Sequence, residues 1–413
     1  MSASRLGRPP PRRLANGPAR APGRRQALSS LQPPDRKDGD PALASVLFEA
    51  LALASQQPAD ALTHGFHSYP ARMHRAIASH LLDKLARPTD RVADPFCGSG
   101  TVLVEAERRG LRSMGIDLNP LALRIAEVKT DRRDAPGRAR FSDALRSVAD
   151  ASRERVRARA ESRAPLTRAQ ASSFEPHVLR ELAGLREEIV SVAHEADRRA
   201  LEIVLSAILT KVSRRRGDTD DRQTPKRMGR FIPTDIFDRK GQELVERWAA
   251  LDAACPAVSC APILRLDDAR DLPRITGSEH VDLAVSSPPY AGTYDYSSHH
   301  ALRLPWLGLQ ASRLERDEIG ARRSVARGGR ATWERELVAV LRALASALTG
   351  SGLAVLLTGD GQAGKDRIDA LAELRQLAPA AGLELVAWAG APRPDWLGGR
   401  PRAEHLVALT RSR

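Results

Sequence analysis

The sequence predicts an α/β fold, a seven-stranded sheet interrupted by a helical insertion, and three stretches carry that expectation. In the first, a short strand at Arg91-Val92-Ala93 runs into Asp94-Pro-Phe-Cys-Gly-Ser-Gly-Thr101. A helix from Val102 to Arg109 follows, then a second strand, Ser113–Ile116, that ends in Asp117. In the second, the apolar run Val281–Val285 stops at Ser286-Ser287-Pro288-Pro289-Tyr290. In the third, the runs Leu353–Leu357, Leu383–Ala389 and His405–Thr410 close the chain, the last two as an antiparallel pair. A further run at 263–266 completes the seven. Short apolar runs alternating with helix-period segments are the pattern of such a sheet.

Taken in order, residues 1–40 read as a disordered tail. Arg and Pro dominate Arg5–Lys37, with Pro9-Pro10-Pro11 and the pairs Arg12-Arg13 and Arg24-Arg25, so there is little to bury. Such a tail either holds nucleic-acid phosphates or is a passive solvated terminus. The chain turns globular at Pro41. Ala42–Ala54 reads as a helix, Pro70 fixes an extended entry, and Met73–Leu85 follows helical spacing through Ile77, Leu81 and Leu85. His64, His67 and His74 fall on different faces with no carboxylate among them, which argues against a metal site.

The glycine loop is the first candidate site. Gly98 and Gly100 let the backbone turn tightly and approach a ligand closely. The helix that starts beside them offers unpaired N–H groups. Asp117, at the tip of the next strand, is placed to accept hydrogen bonds from ribose hydroxyls. Cys97 lacks a base or an electropositive setting, so a nucleophile is not expected there. The sequence holds no Pro-Cys dipeptide, which sets aside cytosine C5 chemistry. The run from Gly359 to Gly364-Lys365 imitates a phosphate loop, but Asp366 stands where Ser or Thr is required.

The second candidate site is the Ser-Pro-Pro-Tyr turn. Pro288 and Pro289 fix φ and donate no N–H, so the chain must leave the sheet there. The turn presents a hydroxyl, free carbonyls and an aromatic ring at the edge where open α/β sheets bind ligands. That set suits a planar aromatic amine. Two acceptors, Ser287 Oγ and the Pro288 carbonyl, would draw its hydrogens and free its lone pair, and Tyr290 would stack on the base, as in enzymes that flip a base from a duplex. Thr293-Tyr294-Asp295-Tyr296 and His299-His300 lie within reach, and Trp306 is expected beneath.

Three motifs in order resemble the S-adenosylmethionine-dependent amino-methyltransferases: Asp94–Thr101, Gly115-Ile-Asp-Leu-Asn-Pro120 and Ser287-Pro-Pro-Tyr290. The likeness spans about 46–130 and 256–413. It implies a class I methyltransferase, Rossmann-like, that uses S-adenosyl-L-methionine to methylate cytosine N4 or adenine N6, mostly in DNA. Ser at 287 leans toward cytosine. His67–Arg72 resembles the segment that packs against the methionine end of the cofactor. The cofactor residues implied are Phe66, Tyr69, Pro70, Asp94, Phe96, Gly98, Gly100, Thr101 and Asp117, with Asp268 (or its neighbour Asp267) at the adenine. The catalytic set is Ser287, Pro288, Pro289 and Tyr290.

One departure from that family is residues 131–255, which separate the second motif from the third. Leu179, Leu182, Leu185, Ile189 and Val192 keep helical spacing, as do Leu201, Leu205, Ile208 and Val212. A basic stretch follows: Lys211, Arg214, Arg215, Arg216, Arg222, Lys226, Arg227 and Arg230. It either contacts nucleic acid, with target recognition in this region, or is a solvated charged face. A second basic run, Arg313–Arg330, includes Arg322 and Arg323 and reads as a mobile loop that closes on substrate. Thr332–Leu348 reads as a helix stopped by Gly350-Ser-Gly352.

The 413 residues carry a formal net charge of +14, which favours a nucleic-acid partner. No apolar run approaches the about 18 residues of a membrane span, no signal peptide opens the chain, and three cysteines do not make a disulfide scaffold. A reduced, cytoplasmic protein is expected. Three functions fit: a DNA amino-methyltransferase, solitary or paired with a restriction nuclease; an RNA enzyme of the same fold; or a non-enzymatic cofactor-binding protein.

Overall fold

A computed structural model describes residues 32–217, 220–224, 226–277, 280–293, 295–363, 366–393 and 402–412. Most of the Arg/Pro-rich tail, Tyr294 and the Gly364-Lys365 pair lie outside them.

The central sheet has eight strands: β1 (Arg36–Gly39), β2 (Arg91–Asp94), β3 (Arg112–Asp117), β4 (Ile263–Leu266), β5 (Val281–Ser286), β6 (Leu348–Gly359), β7 (Leu383–Arg393) and β8 (Arg402–Arg411). Their spatial order is β1-β7-β8-β6-β5-β2-β3-β4. The β6-β5-β2-β3-β4 block is parallel, and β8 and β7 add to it antiparallel. This is the expected seven-stranded sheet with one strand more. Residues 36–39, which composition places in the tail, pair antiparallel with β7 through Arg36↔Gly390 to Gly39↔Ala387. Local composition is a poor guide there because the strand is fully exposed and is held by backbone bonds to an edge, not by burial.

The strand order reverses between β2 and β5, so the crevice at their C-terminal ends is where this sheet would receive a ligand. Both candidate motifs end there. Ser286 closes β5 and Asp94 closes β2, and the Ser286 hydroxyl donates to Asp94 Oδ1 at 2.6 Å, joining the two motifs.

Helices α1 (Pro41–Gln56), α2 (Arg75–Leu85) and α3 (Thr101–Glu107) cover one face of the sheet. Asp40 caps α1 by accepting from the Leu43 amide, with Pro41 in the first turn where its missing N–H costs nothing. Leu47, Leu51, Ile77, Leu81 and Val102 meet Val92, Val285, Val355 and Leu406 of the strands. Helix α4 (Pro120–Thr130), capped by Asn119, leads into the segment of helices α5 (Ala135–Ala158), α6 (Pro176–Val190), α7 (Glu195–Val212) and α8 (Ile232–Ala254). The opposite face is covered by α9 (Arg322–Ala347), through Leu337, Leu341 and Leu344, and α10 (Ala370–Leu377) packs beside it.

The insertion shares its core with the sheet domain. Leu182, Ile189, Leu201, Leu205, Ile208, Phe237 and Trp248 bury against Phe66, Leu121 and Ile125, and against Leu302, Leu304 and Trp306 from beyond the Ser-Pro-Pro-Tyr turn. Trp248 donates from Nε1 to the Val128 carbonyl at 2.9 Å. Trp306 therefore packs with the insertion, edge-on to Phe174, and not beneath the turn.

The second basic run differs from the loop that its charge predicts. Ser312–Asp317 is a short helix and α9 begins at Arg322, with a kink at Gly329 (φ 68°). Internal ion pairs neutralise its arginines: Arg313 with Asp267, Arg323 with Glu318, and Arg330 with Glu334.

Candidate active site

At the switch point lies a cleft of about 780 Å³, part of it open to solvent. The glycine loop, Asp117, Leu118 and Asn119 form one side. Tyr69 and Arg72 come from the segment before α2, and Asp267 and Asp268 from the end of β4. Ser287, Pro289, Tyr296, Leu314, Glu318 and Ile319 form the far wall.

Gly98 and Gly100 adopt φ of 48° and 80°, so side chains there would be strained. A Cβ on Gly98 would also come within 3.1 Å of the Tyr69 ring, and one on Gly100 within 2.9 Å of Ala126. The Asp117 carboxylate holds the loop. Its Oδ2 accepts from the Gly98 amide and its Oδ1 from the Asn119 amide, both at 2.8 Å. Each oxygen keeps a lone pair for a further donor. Burial pushes Asp117 up to about 6, against the two amide bonds that stabilise its charge. Asp94 is pushed up to about 7 by the same cause, opposed by bonds from Ser286 and the Phe96 amide. Burial also raises the Cys97 thiol well above its usual range, consistent with an inert thiol.

Tyr69 lies where the two sides of the cleft meet. Its ring stacks with Tyr296 at 6.1 Å and with His300 at 5.1 Å, and its hydroxyl accepts from Asn119 Nδ2 at 3.4 Å. Phe66 lies one turn away in the core, under the Lys240 ammonium at 4.7 Å, and does not line the cleft. Pro70 is also outside the lining, whereas Asp94, Phe96 and Thr101 are in it. Asp268 lines the cleft, but Arg270 holds both its oxygens, at 2.9 and 2.5 Å. Asp267 accepts from Arg313 and Arg274.

Of the Ser-Pro-Pro-Tyr turn, Ser287 and Pro289 reach the cleft. Tyr290 is 8% exposed and turns toward Gly359, with the Arg393 guanidinium 5.6 Å from its ring centre. Arg393 in turn pairs with the buried Glu404 at 2.9 Å. The three histidines each have a structural bond. His64 Nε2 meets Glu105 at 2.9 Å, His67 meets Ser206 and the Ser68 carbonyl, and His74 caps α2. Asp360, Asp369 and His405 also converge, but Arg367 and the Ala403 amide hold Asp360, while Asp369 caps α10.

Two residues escape the sequence reading. Glu318, 5% exposed, sits on the cleft wall, accepting from the Tyr296 amide and from Arg323, both at 2.7 Å. Arg303, 1% exposed, ties the segment after the turn to α7 and to Ser68. Neither stands in a motif, and Tyr296, Ser206 and Ser68, which they bond, are distant in sequence, so no local signal marks them.

The basic stretch places Lys211 and Arg216 at the surface and Arg215 half-buried, in a hairpin of Arg215–Gly217 and Asp220–Gln223 at the end of α7. Lys226 fastens it by donating to the carbonyls of Thr210, Lys211 and Arg215. Arg214 pairs with Glu175 at 2.8 Å. Arg322 is exposed near the turn, donating to the Thr293 carbonyl, whereas Arg323 is engaged with Glu318, Asp295 and Ser297.

Residues 35–128 match the family model described as a DNA methylase of the N6/N4 type. Over this stretch the chain is similar to the N4/N6 amino-methyltransferases. Among curated relatives, it is 35% identical over 85 residues to the Type II methyltransferase M.MjaII of Methanocaldococcus jannaschii, covering 21% of this chain and 16% of that protein. It is 39% identical over 72 residues to M.MvaI of Kocuria varians, covering 17% and 16%. A longer match, 26% over 258 residues, reaches M.AvaI of Nostoc sp. and covers 57% of this chain and 51% of that one. The chain thus spans about half or less of the length of these relatives. S-adenosylmethionine is the methyl donor of such methyltransferases, and the cleft fits it. Gly98 and Thr101 of the glycine turn line it, and Asp117 keeps acceptors for a ribose. Among the described residues no helix is long and apolar enough to cross a membrane.

Proposed function

We propose that this amino-methyltransferase acts on the exocyclic amine of a base in DNA, cytosine N4 in preference to adenine N6. One observation carries the reading: Ser287 and Pro289 share a single cleft with Gly98 and Asp117, so a methyl donor and a base amine would meet there. DNA as substrate draws support from the three Type II methyltransferases that the chain resembles. The basic hairpin adds to this. Thr210, beside it, is bonded to Arg303 and through it to Ser68, next to the cleft. The enzyme would act alone or beside a restriction nuclease. Its free cysteines suit a reducing compartment such as the cytoplasm.

S-adenosylmethionine supplies an electrophilic methyl group. Gly98 and Gly100 would receive its methionine end, with Tyr69 across from them, and Asp117 its ribose. The residues at the end of β4 would receive its adenine, where Asp268 must share its carboxylate with Arg270. Ser286 is tied to Asp94 and leaves Ser287 as the hydroxyl on the cleft. Ser287 Oγ would accept an amine hydrogen, drawing the lone pair out of the ring and toward the methyl carbon, whereas Pro288 is buried and lies outside the cleft lining. A strong base is not required before attack, since the methylated amine is acidic and releases its proton afterwards. Most of the rate would come from positioning and from this fixed dipole. Tyr290, buried and turned toward Gly359, lies outside the cleft and is not placed to stack on the base. Ser287, in place of an acid, favours cytosine.

The test is transfer of a labelled methyl group from S-adenosylmethionine to unmethylated genomic DNA. The wild-type chain is expected to transfer label, and Ser287→Ala to lose turnover on the order of 10²-fold with its cofactor affinity kept. Equal turnover in the variant would remove Ser287 from the mechanism, and no transfer by the wild type would remove the function.

A further inference from the structure

The cleft has two sides that the chain supplies from far apart. The donor side rests on Tyr69 and the glycine loop. The target side rests on the turn at Ser287 and on the segment that leaves it, residues 296–306. Between them, in the core, stands Arg303. Its Nε donates to the Ser206 carbonyl at 3.2 Å. Its Nη2 donates to Thr210 Oγ1 at 3.0 Å and to Ser68 Oγ at 3.1 Å. One rigid guanidinium fork therefore joins three stretches: its own target-side segment, helix α7 of the insertion, and the residue next to Tyr69.

His67 repeats the link. The Ser68 carbonyl can only accept, so Nδ1 carries the proton, and Nε2 accepts from the Ser206 hydroxyl, at 2.7 and 3.0 Å. Two further bonds hold the target-side segment to the insertion: Gln170 Nε2 to the Ala301 carbonyl at 3.1 Å, and Arg186 Nε to the Trp306 carbonyl at 2.9 Å. Tyr296 and His300 of the same segment stack on Tyr69, whose ring lies against Gly98. The path from Gly98 through Tyr69 to the target-side segment is continuous, and Arg303 pins it to α7 at its middle.

We propose that Arg303 is a positioning residue that couples the two ligands of the cleft, with α7 as its anchor. The insertion then acts as a brace that makes donor and target binding cooperative. A ligand against Tyr69 and Gly98 orders the Tyr296–His300 stack, which fixes the segment leaving the Ser287 turn. By linkage, the target must strengthen donor binding by the same factor. The inference rests on the methyltransferase reading.

The experiment measures the affinity of S-adenosylhomocysteine, a non-reacting probe of the donor site, with and without unmethylated genomic DNA fragments. It compares the wild type with Thr210→Val, Ser68→Ala and the double variant. Neither residue lines the cleft, and both changes are small enough to keep the fold. Arg303→Lys, which keeps the charge and loses the fork, serves as a further variant. The wild type is expected to show a coupling of about five-fold or more. The double variant should fall toward one, with the affinity for the probe alone held within about two-fold. Coupling unchanged in the double variant would overturn the role of Arg303, as would a loss of probe affinity without DNA that accounts for the whole effect. A wild type that binds no S-adenosylhomocysteine would instead overturn the donor site, and the inference with it.

Discussion

Asp117 is a carboxylate with a double duty. It organises the glycine loop through the Gly98 amide and, in the reading proposed above, also takes the ribose of the donor. Burial raises it to about 6, so it titrates close to neutrality. The ionised form is the stronger acceptor. Donor affinity should therefore be flat above about pH 7 and fall as pH drops below 6, by up to about tenfold per unit. Asp117→Asn should bind weakly and lose that dependence. Isothermal titration of S-adenosylhomocysteine from pH 5 to 8 checks both, and an unchanged profile in the variant would assign the titration elsewhere. The same scale shows where sequence reasoning is strong. Asp94, Gly98, Gly100, Asp117 and Ser287 are legible because local rules, a glycine at positive φ and an acid at a strand tip, fix their geometry. Glu318 and Arg303 are not legible, because burial and partners such as Tyr296, Ser206 and Ser68, far off in the sequence, give them their places.

Among the elements, the hairpin after α7 and the start of α9 are where charge misleads. Both are arginine-rich, yet several of those arginines serve the chain itself. Arg214 pairs with Glu175, and Arg323 holds Glu318 at the cleft wall. Replacing Arg214, Arg215 and Arg216 with Ser should weaken DNA binding and lower the slope of log affinity against log salt by less than the roughly 2.7 that three phosphate contacts would give. Each phosphate contact contributes about 0.9, and Arg214 is already paired. Filter binding between low and moderate salt measures the slope, and an unchanged value would place the DNA elsewhere. The strands β2 to β8 fall where their apolar runs predict. Strand β1 does not, since edge pairing to β7 needs no apolar residue.

At the scale of the molecule, the insertion and the sheet domain are joined by a common core, by the Arg247–Asp60 pair, by Arg132 donating to the Pro256 carbonyl and the Ser259 hydroxyl, and by Trp248 against Val128. One cooperative unfolding transition is expected. Trp248→Ala removes a fully buried ring that packs edge-on to Phe141, and should cost about 3–5 kcal/mol. Calorimetry should show the single transition moving down as a whole. A variant with one transition unmoved and a second lowered would show two independent units. The helical periodicity of residues 179–212 is plain in the sequence, but where those helices dock is not. Docking depends on matching Phe66, Leu121 and Trp306, residues that no periodicity links.

The two motifs on one cleft are proposed to methylate a base amine in DNA. Nucleoside mass spectrometry tests it most directly, after incubation of the protein with S-adenosylmethionine and, separately, unmethylated genomic DNA and bulk RNA. N4-methylcytosine is expected in the DNA and none in the RNA. N6-methyladenine in the DNA would keep the chemistry and correct the base. Methylated nucleosides only in RNA, or in neither, would contradict the claim.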